Sequence, residues 1–182
     1  MRFTPGIVSG TFVIDQERRQ DERGYFARTW CMDELASHGL CTRIAQVNTA
    51  FSPVARTLRG LHFQEDPWSE VKVVRCTRGA IYDVAVDLRP QSPTRRTWFG
   101  VELSAENGRA LYIPEGCAHG YLTLVPDTEV EYLTSQRYVP QSARGLRYDD
   151  PALDIAWPQP PVIVSAADRS WPPLSPPSRS EQ

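Results

Sequence analysis

Three histidines and one lysine are the side chains in this sequence best suited to move or hold a proton. The chain has 182 residues, and its histidines are His38, His62 and His119. An imidazole has an unperturbed pKa of about 6.5, so it exchanges protons readily near neutral pH. His38 stands beside Gly39 at a predicted helix end, where a dipole contact or plain surface exposure accounts for it. His62 lies in the run Arg59-Gly60-Leu61-His62-Phe63-Gln64, inside a predicted strand. His119 closes the spacing Gly108-x5-Pro114-x-Gly116-x2-His119, in which the Pro-Gly pair turns the chain and aims the next strand. Both histidines also fit a plainer role as hydrogen-bonded core residues. Among 20 basic residues Lys72 is the single lysine. Its ammonium is a compact donor that can lose its proton, unlike a guanidinium. Two histidines fall short of a zinc or iron site, where about three protein ligands are usual. An ammonium has no lone pair and repels a divalent cation. No metal and no other cofactor is expected.

The elements that must carry these groups read as short strands. Gly6–Ile14 and Tyr25–Trp30 are predicted strands joined by a polar connection, Asp15–Gly24. Asp33–His38 is the best helix candidate and ends at Gly39. Strands follow at Ile44–Asn48, Thr57–Phe63, Val71–Thr77, Ala80–Leu88, Thr97–Leu103, Ala110–Ile113, Gly120–Val125 and Glu129–Gln136. The clearest alternation puts Tyr82, Val84, Val86 and Leu88 on one face and Asp83, Ala85 and Asp87 on the other. Short strands at this spacing predict an all-β sandwich or double-sheet jelly roll; without β-α alternation a parallel sheet is disfavoured. Half of the 16 prolines lie between Pro151 and Pro177. Proline removes a backbone donor, so this segment is expected to wrap over the sheets rather than join their centre. One domain over residues 1–174 and a loose tail over 175–182 are expected.

Composition narrows the partners. A formal net charge of −2 with no basic cluster argues against nucleic acid and anionic membranes. No apolar run is long enough to span a bilayer, and the opening residues lack a secretion-signal pattern. Cys31, Cys41, Cys76 and Cys117 form no C-x-x-C pair, as expected of free thiols in a reducing compartment. A cytoplasmic protein is expected.

The spacing that ends at His119 resembles the second motif of the cupins, with Thr123 where an asparagine is usual. The metal-binding cupins carry H-x-H and a glutamate in their first motif. Here His62-Phe63-Gln64 and Lys72 stand instead. A narrower resemblance is to the dTDP-4-dehydrorhamnose 3,5-epimerase family. It rests on Arg59-Gly60-Leu61-His62-Phe63-Gln64, Lys72-Val73-Val74-Arg75, Gly79 and Asp83-Val84-Ala85-Val86-Asp87-Leu88-Arg89. Ser92-Pro93-Thr94, Leu103-Ser104-Ala105-Glu106-Asn107, Ile113 to Gly120, Tyr132, Tyr138, Asp149-Asp150-Pro151 and Ser165-x-x-Asp168 follow in order. The resemblance implies a cupin jelly roll with short flanking helices. It also implies epimerisation at C3, C5 or both of a nucleoside diphosphate 4-keto-6-deoxyhexose through an enolate, without metal or redox cofactor. By resemblance His62 is the base and Asp168 its orienting carboxylate. Lys72 stabilises the enolate oxygen, Tyr132 is the acid on the far face, and His119 lines the site. Taken singly, Tyr132 reads as a core residue, Lys72 as a surface residue and Asp168 as a turn residue.

The resemblance also places Arg23 and Arg59 on the diphosphate, which guanidinium forks suit. Gln46, Asn48 and Tyr138 belong to the same cleft. It implies a homodimer with exchanged N-terminal strands, so that Arg23 and Phe26 serve the partner's site. One departure bears on the base. Arg28 stands where the family has a glutamate, and Ala50 replaces a serine. A donor-only guanidinium cannot accept the N3–H of thymine but suits cytosine or guanine. A CDP- or GDP-linked substrate is therefore an alternative to a dTDP-linked one, as is an Arg28 that faces solvent or adds a phosphate contact. A metal-dependent cupin enzyme and a non-catalytic sugar-nucleotide binder are the competing classes.

Overall fold

Alternating runs broken by turn residues pair into two stacked antiparallel sheets in the computed structural model, which describes residues 1–174. In chain order the first elements are β1 (Arg2–Pro5), β2 (Phe12–Asp15), β3 (Arg19–Asp21), β4 (Gly24–Phe26), α1 (Met32–Ser37), β5 (Gln46–Ser52) and β6 (Thr57–Gln64). Then come β7 (Lys72–Arg78), β8 (Ala80–Asp87), β9 (Trp98–Ser104), β10 (Ala110–Ile113), β11 (Cys117–Thr123) and β12 (Thr128–Thr134). The last are β13 (Ala143–Gly145), β14 (Ile163–Val164) and α2 (Ala166–Ser170). One sheet runs β1-β2-β10-β7-β12-β5 and the other β13-β6-β11-β8-β9, with β14 added in parallel to β6. Sequence neighbours are thus split between the sheets, which is the connectivity of a double-sheet jelly roll.

Three apolar layers hold it. Between the sheets, Val74, Cys76, Leu111, Ile113 and Val130 meet Ile81, Ala85, Leu103, Cys117 and Tyr121. On the outside of the first sheet, α1 lays Leu35 against Val73 and Tyr112. Burial of such a leucine contributes roughly 1.5–3 kcal/mol. On the outside of the second sheet, Leu153, Ile155 and Trp157 of the proline-rich segment cover Val84, Val86 and Ala118. The Tyr82/Val84/Val86 stripe therefore faces the wrap, and Asp83, Ala85 and Asp87 point between the sheets.

Two expectations fail near the N-terminus. Gly6–Ile14 is not one strand. Residues 6–11 form a turn closed by Gly6 N–H to Thr11 O at 2.9 Å and Thr11 N–H to Val8 O at 3.0 Å, which buries Val8. That turn lets the chain fold β1 back along β2. The supposed polar connection Asp15–Gly24 contains the β3–β4 hairpin, where Asp21 Oδ1 accepts the Arg23 N–H at 2.9 Å and Gly24 takes φ +119°. The predicted strand Tyr25–Trp30 accordingly ends at Phe26. The loose tail expected over 175–182 lies outside the described residues.

Candidate active site

A cleft of about 870 Å³ opens between the sheets. Gln46 and Asn48 (β5), Lys72 (β7) and Tyr132 (β12) line it from the first sheet. Arg59 and His62 (β6) and His119 (β11) line it from the second, with Asp168 (α2) and Tyr138 at its rim. Its lining mixes apolar side chains such as Leu58, Phe63 and Ile163 with many polar and charged ones, a make-up that suits a polar small molecule.

Two glycines set the spacing of the second sheet. A Cβ on Gly60 would lie 2.5 Å from the Cα of Gly120, and Gly60 has φ +134°. β6 and β11 can only approach this closely without side chains there. The pairing slips at this point, His119 standing opposite His62 while Tyr121 stands opposite Arg59. Arg59 and His62 consequently both reach the cleft.

His62 Nε2 is 2.6 Å from Asp168 Oδ1. The other carboxylate oxygen accepts the Gly60 N–H at 3.3 Å. Ser165 Oγ caps α2 by accepting the Asp168 N–H at 3.0 Å, which fixes the carboxylate's backbone. Burial pushes the Asp168 carboxyl up, but the His62 hydrogen bond and charge, with the Gly60 and Ser165 bonds, outweigh it. The group is held below the ordinary carboxylate range. An ionised carboxylate on Nε2 fixes the imidazole so that Nδ1 serves the cleft. The His62 side chain is 46% exposed and lines the cleft.

Two further pairs line the floor. His119 Nε2 meets the fully buried Asp83 Oδ1 at 2.7 Å. Lys72 Nζ meets Glu70 Oε1 at 3.1 Å and donates to the His62 carbonyl at 3.3 Å. Tyr132 is half-buried. Burial pushes its phenol up, the Glu70 charge adds to this, and Arg59 opposes it. Arg59 donates to Phe51 O at 2.9 Å and Ser52 Oγ at 3.3 Å, and no carboxylate is among these partners. The Tyr138 N–H donates to Gln46 Oε1 at 2.8 Å, while its side chain is exposed.

The structure thus brings His62, Lys72, Tyr132, Asp168, Gln46, Asn48, Arg59, His119 and Tyr138 into one cleft. It leaves three predicted residues outside that cleft. Arg23 pairs with Asp21 at 2.6 Å on the β3–β4 hairpin, and Phe26 is 68% exposed there. Arg28 pairs with Glu34 of α1 at 2.8 Å. Sequence reasoning missed Asp83 and Glu70 as partners of the cationic groups. The signal for Asp83 was an acidic residue in an otherwise apolar strand, which has to be paired when buried. No group of three or more potential metal ligands clusters among the described residues. No helix among them is long and apolar enough to cross a membrane.

Fold and site together define a cupin-type jelly roll with acid–base groups on opposing sheets. A profile of the dTDP-4-dehydrorhamnose 3,5-epimerase family matches residues 6–176. The chain is 45% identical over 179 residues to the dTDP-4-dehydrorhamnose 3,5-epimerase of Sinorhizobium fredii, covering 96% of this chain and 90% of that one. It is 44% identical over 176 residues to the same-named enzyme of Methanothermobacter thermautotrophicus, covering 95% and 94%. The crystal structure of the Bacillus anthracis dTDP-4-dehydrorhamnose 3,5-epimerase, with TDP and PPi bound, superposes with a TM-score of 0.91. That match is at 38% identity and covers 95% of this chain and 99% of that one. The chain belongs to the dTDP-4-dehydrorhamnose 3,5-epimerase family, whose members are isomerases.

Proposed function

We propose that the cleft epimerises a dTDP-linked 4-keto-6-deoxyhexose, with His62 as base and Tyr132 as acid. The observation that carries this reading is the pair at 2.6 Å between His62 of one sheet and Asp168 of α2, with Lys72 and Tyr132 lining the same cleft from the other sheet. A 4-ketone acidifies the C–H bonds at C3 and C5. His62 Nδ1 takes one such proton, and Asp168 stabilises the imidazolium that results. The electron pair moves onto the ketone oxygen as an enolate. An ammonium has three N–H bonds. Lys72 donates one of them to the His62 carbonyl and stands in an ion pair with Glu70, and a remaining N–H is available for that oxygen. A single placed donor of this kind is worth on the order of 3 kcal/mol. The Tyr132 phenol, kept protonated by burial, returns a proton to the opposite ring face. His119, oriented by Asp83, contributes a second polar contact to the sugar.

At the nucleotide end Arg59 takes the diphosphate, and Gln46, Asn48 and Tyr138 border the same space. The TDP bound to the Bacillus anthracis relative supports a thymidine nucleotide as ligand. Arg28 is held by Glu34 at 2.8 Å, outside this chain's cleft. The exposed Arg23 and Phe26 fit a homodimer in which the N-terminal hairpin completes the partner's site. Sedimentation equilibrium returning a monomer would overturn the dimer. Four free thiols suit the cytoplasm.

The test is to incubate protein and 4-keto sugar nucleotide in deuterated water. Mass spectrometry counts exchanged carbon-bound hydrogens, and NMR assigns them to C3 or C5. His62→Ala should abolish exchange, whereas Tyr132→Phe should retain some exchange while slowing inversion. Wild-type exchange rates in His62→Ala would refute the assignment of the base.

A further inference from the structure

We propose that Glu70 is a positioning residue: anchored by Gln64, its carboxylate holds the Lys72 ammonium in the cleft and sets the charge beside the Tyr132 phenol. This rests on the roles given above to Lys72 and Tyr132. Glu70 and Lys72 are nearly buried, with side chains 11% and 8% exposed. Glu70 Oε1 faces Lys72 Nζ at 3.1 Å, and Oε2 accepts from Gln64 Nε2 at 3.0 Å. Both carboxylate oxygens are therefore committed. Gln64 Nε2 lies 3.0 Å from Trp68 O and 3.1 Å from Arg137 O as well as near Glu70, so its two N–H bonds are shared among three acceptors, while its Oε1 accepts the Val139 N–H at 2.6 Å. A lysine stem is flexible, and an ammonium with one anchor would sample several positions. The ion pair with the Glu70 carboxylate and the hydrogen bond to the His62 carbonyl give it two anchors, which restrict where the ammonium can sit. Removing one partner of a buried ion pair leaves the other uncompensated.

The phenol gives a second handle. Burial and then Glu70 push Tyr132 up, and Arg59 pulls it down. Lys72, His62, His119, Tyr121, Tyr138, Asp168 and Arg144 are the other titratable groups that line the cleft with it.

The decisive variant is Glu70→Gln in the full chain. The expected loss in kcat is on the order of 10²-fold, as for a reacting group misplaced by about 1 Å, with dTDP affinity unchanged. The alkaline limb of kcat/KM should move to lower pH, because the negative charge that helps keep Tyr132 protonated is gone. Glu70→Asp keeps the charge but shortens the reach, so it should leave the alkaline limb in place and still lower kcat. Lys72 is the chain's only lysine, so side-chain 13C labelling of lysine yields one resonance from it. That resonance should report a more mobile side chain in Glu70→Gln. Lys72→Met separates the two layers of the argument. If Lys72→Met stays fully active, the role of Lys72 itself falls. If Lys72→Met is impaired while Glu70→Gln keeps wild-type kcat and an unmoved alkaline limb, only the role of Glu70 falls. Should Glu70→Gln not fold, Glu70→Asp decides alone, and wild-type kcat in that variant overturns the proposal.

Discussion

Asp168→Asn should stop the reaction while sparing the nucleotide. The carboxylate spends Oδ1 on His62 Nε2 at 2.6 Å and Oδ2 on the Gly60 N–H at 3.3 Å. An asparagine has one oxygen and one NH2 group in those places. The Gly60 N–H can only donate, so the oxygen must turn to it and the NH2 group then faces His62. Nε2 must now accept, and the ring proton moves to Nδ1, the nitrogen that serves the cleft. The base loses its lone pair and the imidazolium loses its counter-charge in one change. The loss expected from a wrong tautomer at such a pair is about 10³–10⁴ in kcat, or roughly 4–5.5 kcal/mol of barrier. Isotope uptake from deuterated water, followed by mass spectrometry, reads the proton-abstraction step directly. Titration with dTDP checks that the rest of the cleft is intact, since Arg59 and Asn48 are untouched. Turnover within tenfold of wild type, with normal dTDP binding, would show that Asp168 does not set the tautomer of His62.

Two stability predictions come from the same framework. Gly60→Ala should cost about 3 kcal/mol or more, because the new Cβ meets the Gly120 Cα at 2.5 Å in a backbone region unsuited to L side chains. Calorimetry should record this as a melting temperature lower by roughly 6–12 °C, and an unchanged melt would show that the strands can separate there at little cost. Asp87 concerns acid stability. Burial raises its carboxyl, but Arg89, Ser92 and Thr94 outweigh this and bring it from 3.8 to about 2. A depressed carboxyl stabilises the fold above its unfolded value and loses that contribution as pH falls through the folded one. The difference is roughly 2 kcal/mol, present above about pH 4 and lost towards pH 2. Urea midpoints measured from pH 5 to 2 should fall less steeply in Asp87→Asn than in the wild type, and identical slopes would remove Asp87 as the source.

The jelly roll was legible because its strands alternate and its turns are marked by glycine and proline. The N-terminal errors have a local cause. Gly6–Thr11 carries valine and isoleucine like a strand, yet the Thr11 hydroxyl bonds Val8 O at 2.7 Å and closes a turn. Strand β8 shows a different limit. Its Asp83/Ala85/Asp87 face reads as the wetter one, but the structure turns it inward. The proline-rich segment supplies Leu153 and Trp157 to the apolar face, so both faces are covered. Tertiary contacts then identify the aspartates' partners, which are His119 for Asp83 and Arg89 for Asp87. Lys72 was singled out by rarity and family position, whereas Glu70 looked like any surface glutamate until its neighbours were in place.

Strand β6, which carries Arg59 and His62, shows why period alone could not have located the site. In a regular strand, residues three apart point to opposite faces. Yet Leu58 and Leu61 both lie on the outer side of the second sheet, Leu58 against Val164 and Leu61 against Leu153. Arg59 and His62 both reach the cleft. The phase of β6 therefore reverses between Arg59 and His62, at Gly60, where the pairing with β11 also slips. Without that reversal, a register that presents the imidazole to the cleft would send Arg59 into the outer apolar layer, and the cleft would lose that guanidinium. The N–H of the same glycine also anchors Asp168. The irregular residue in Arg-Gly-Leu-His thus sets two things at once: that Arg59 and His62 share the cleft face, and where the carboxylate paired with His62 is held.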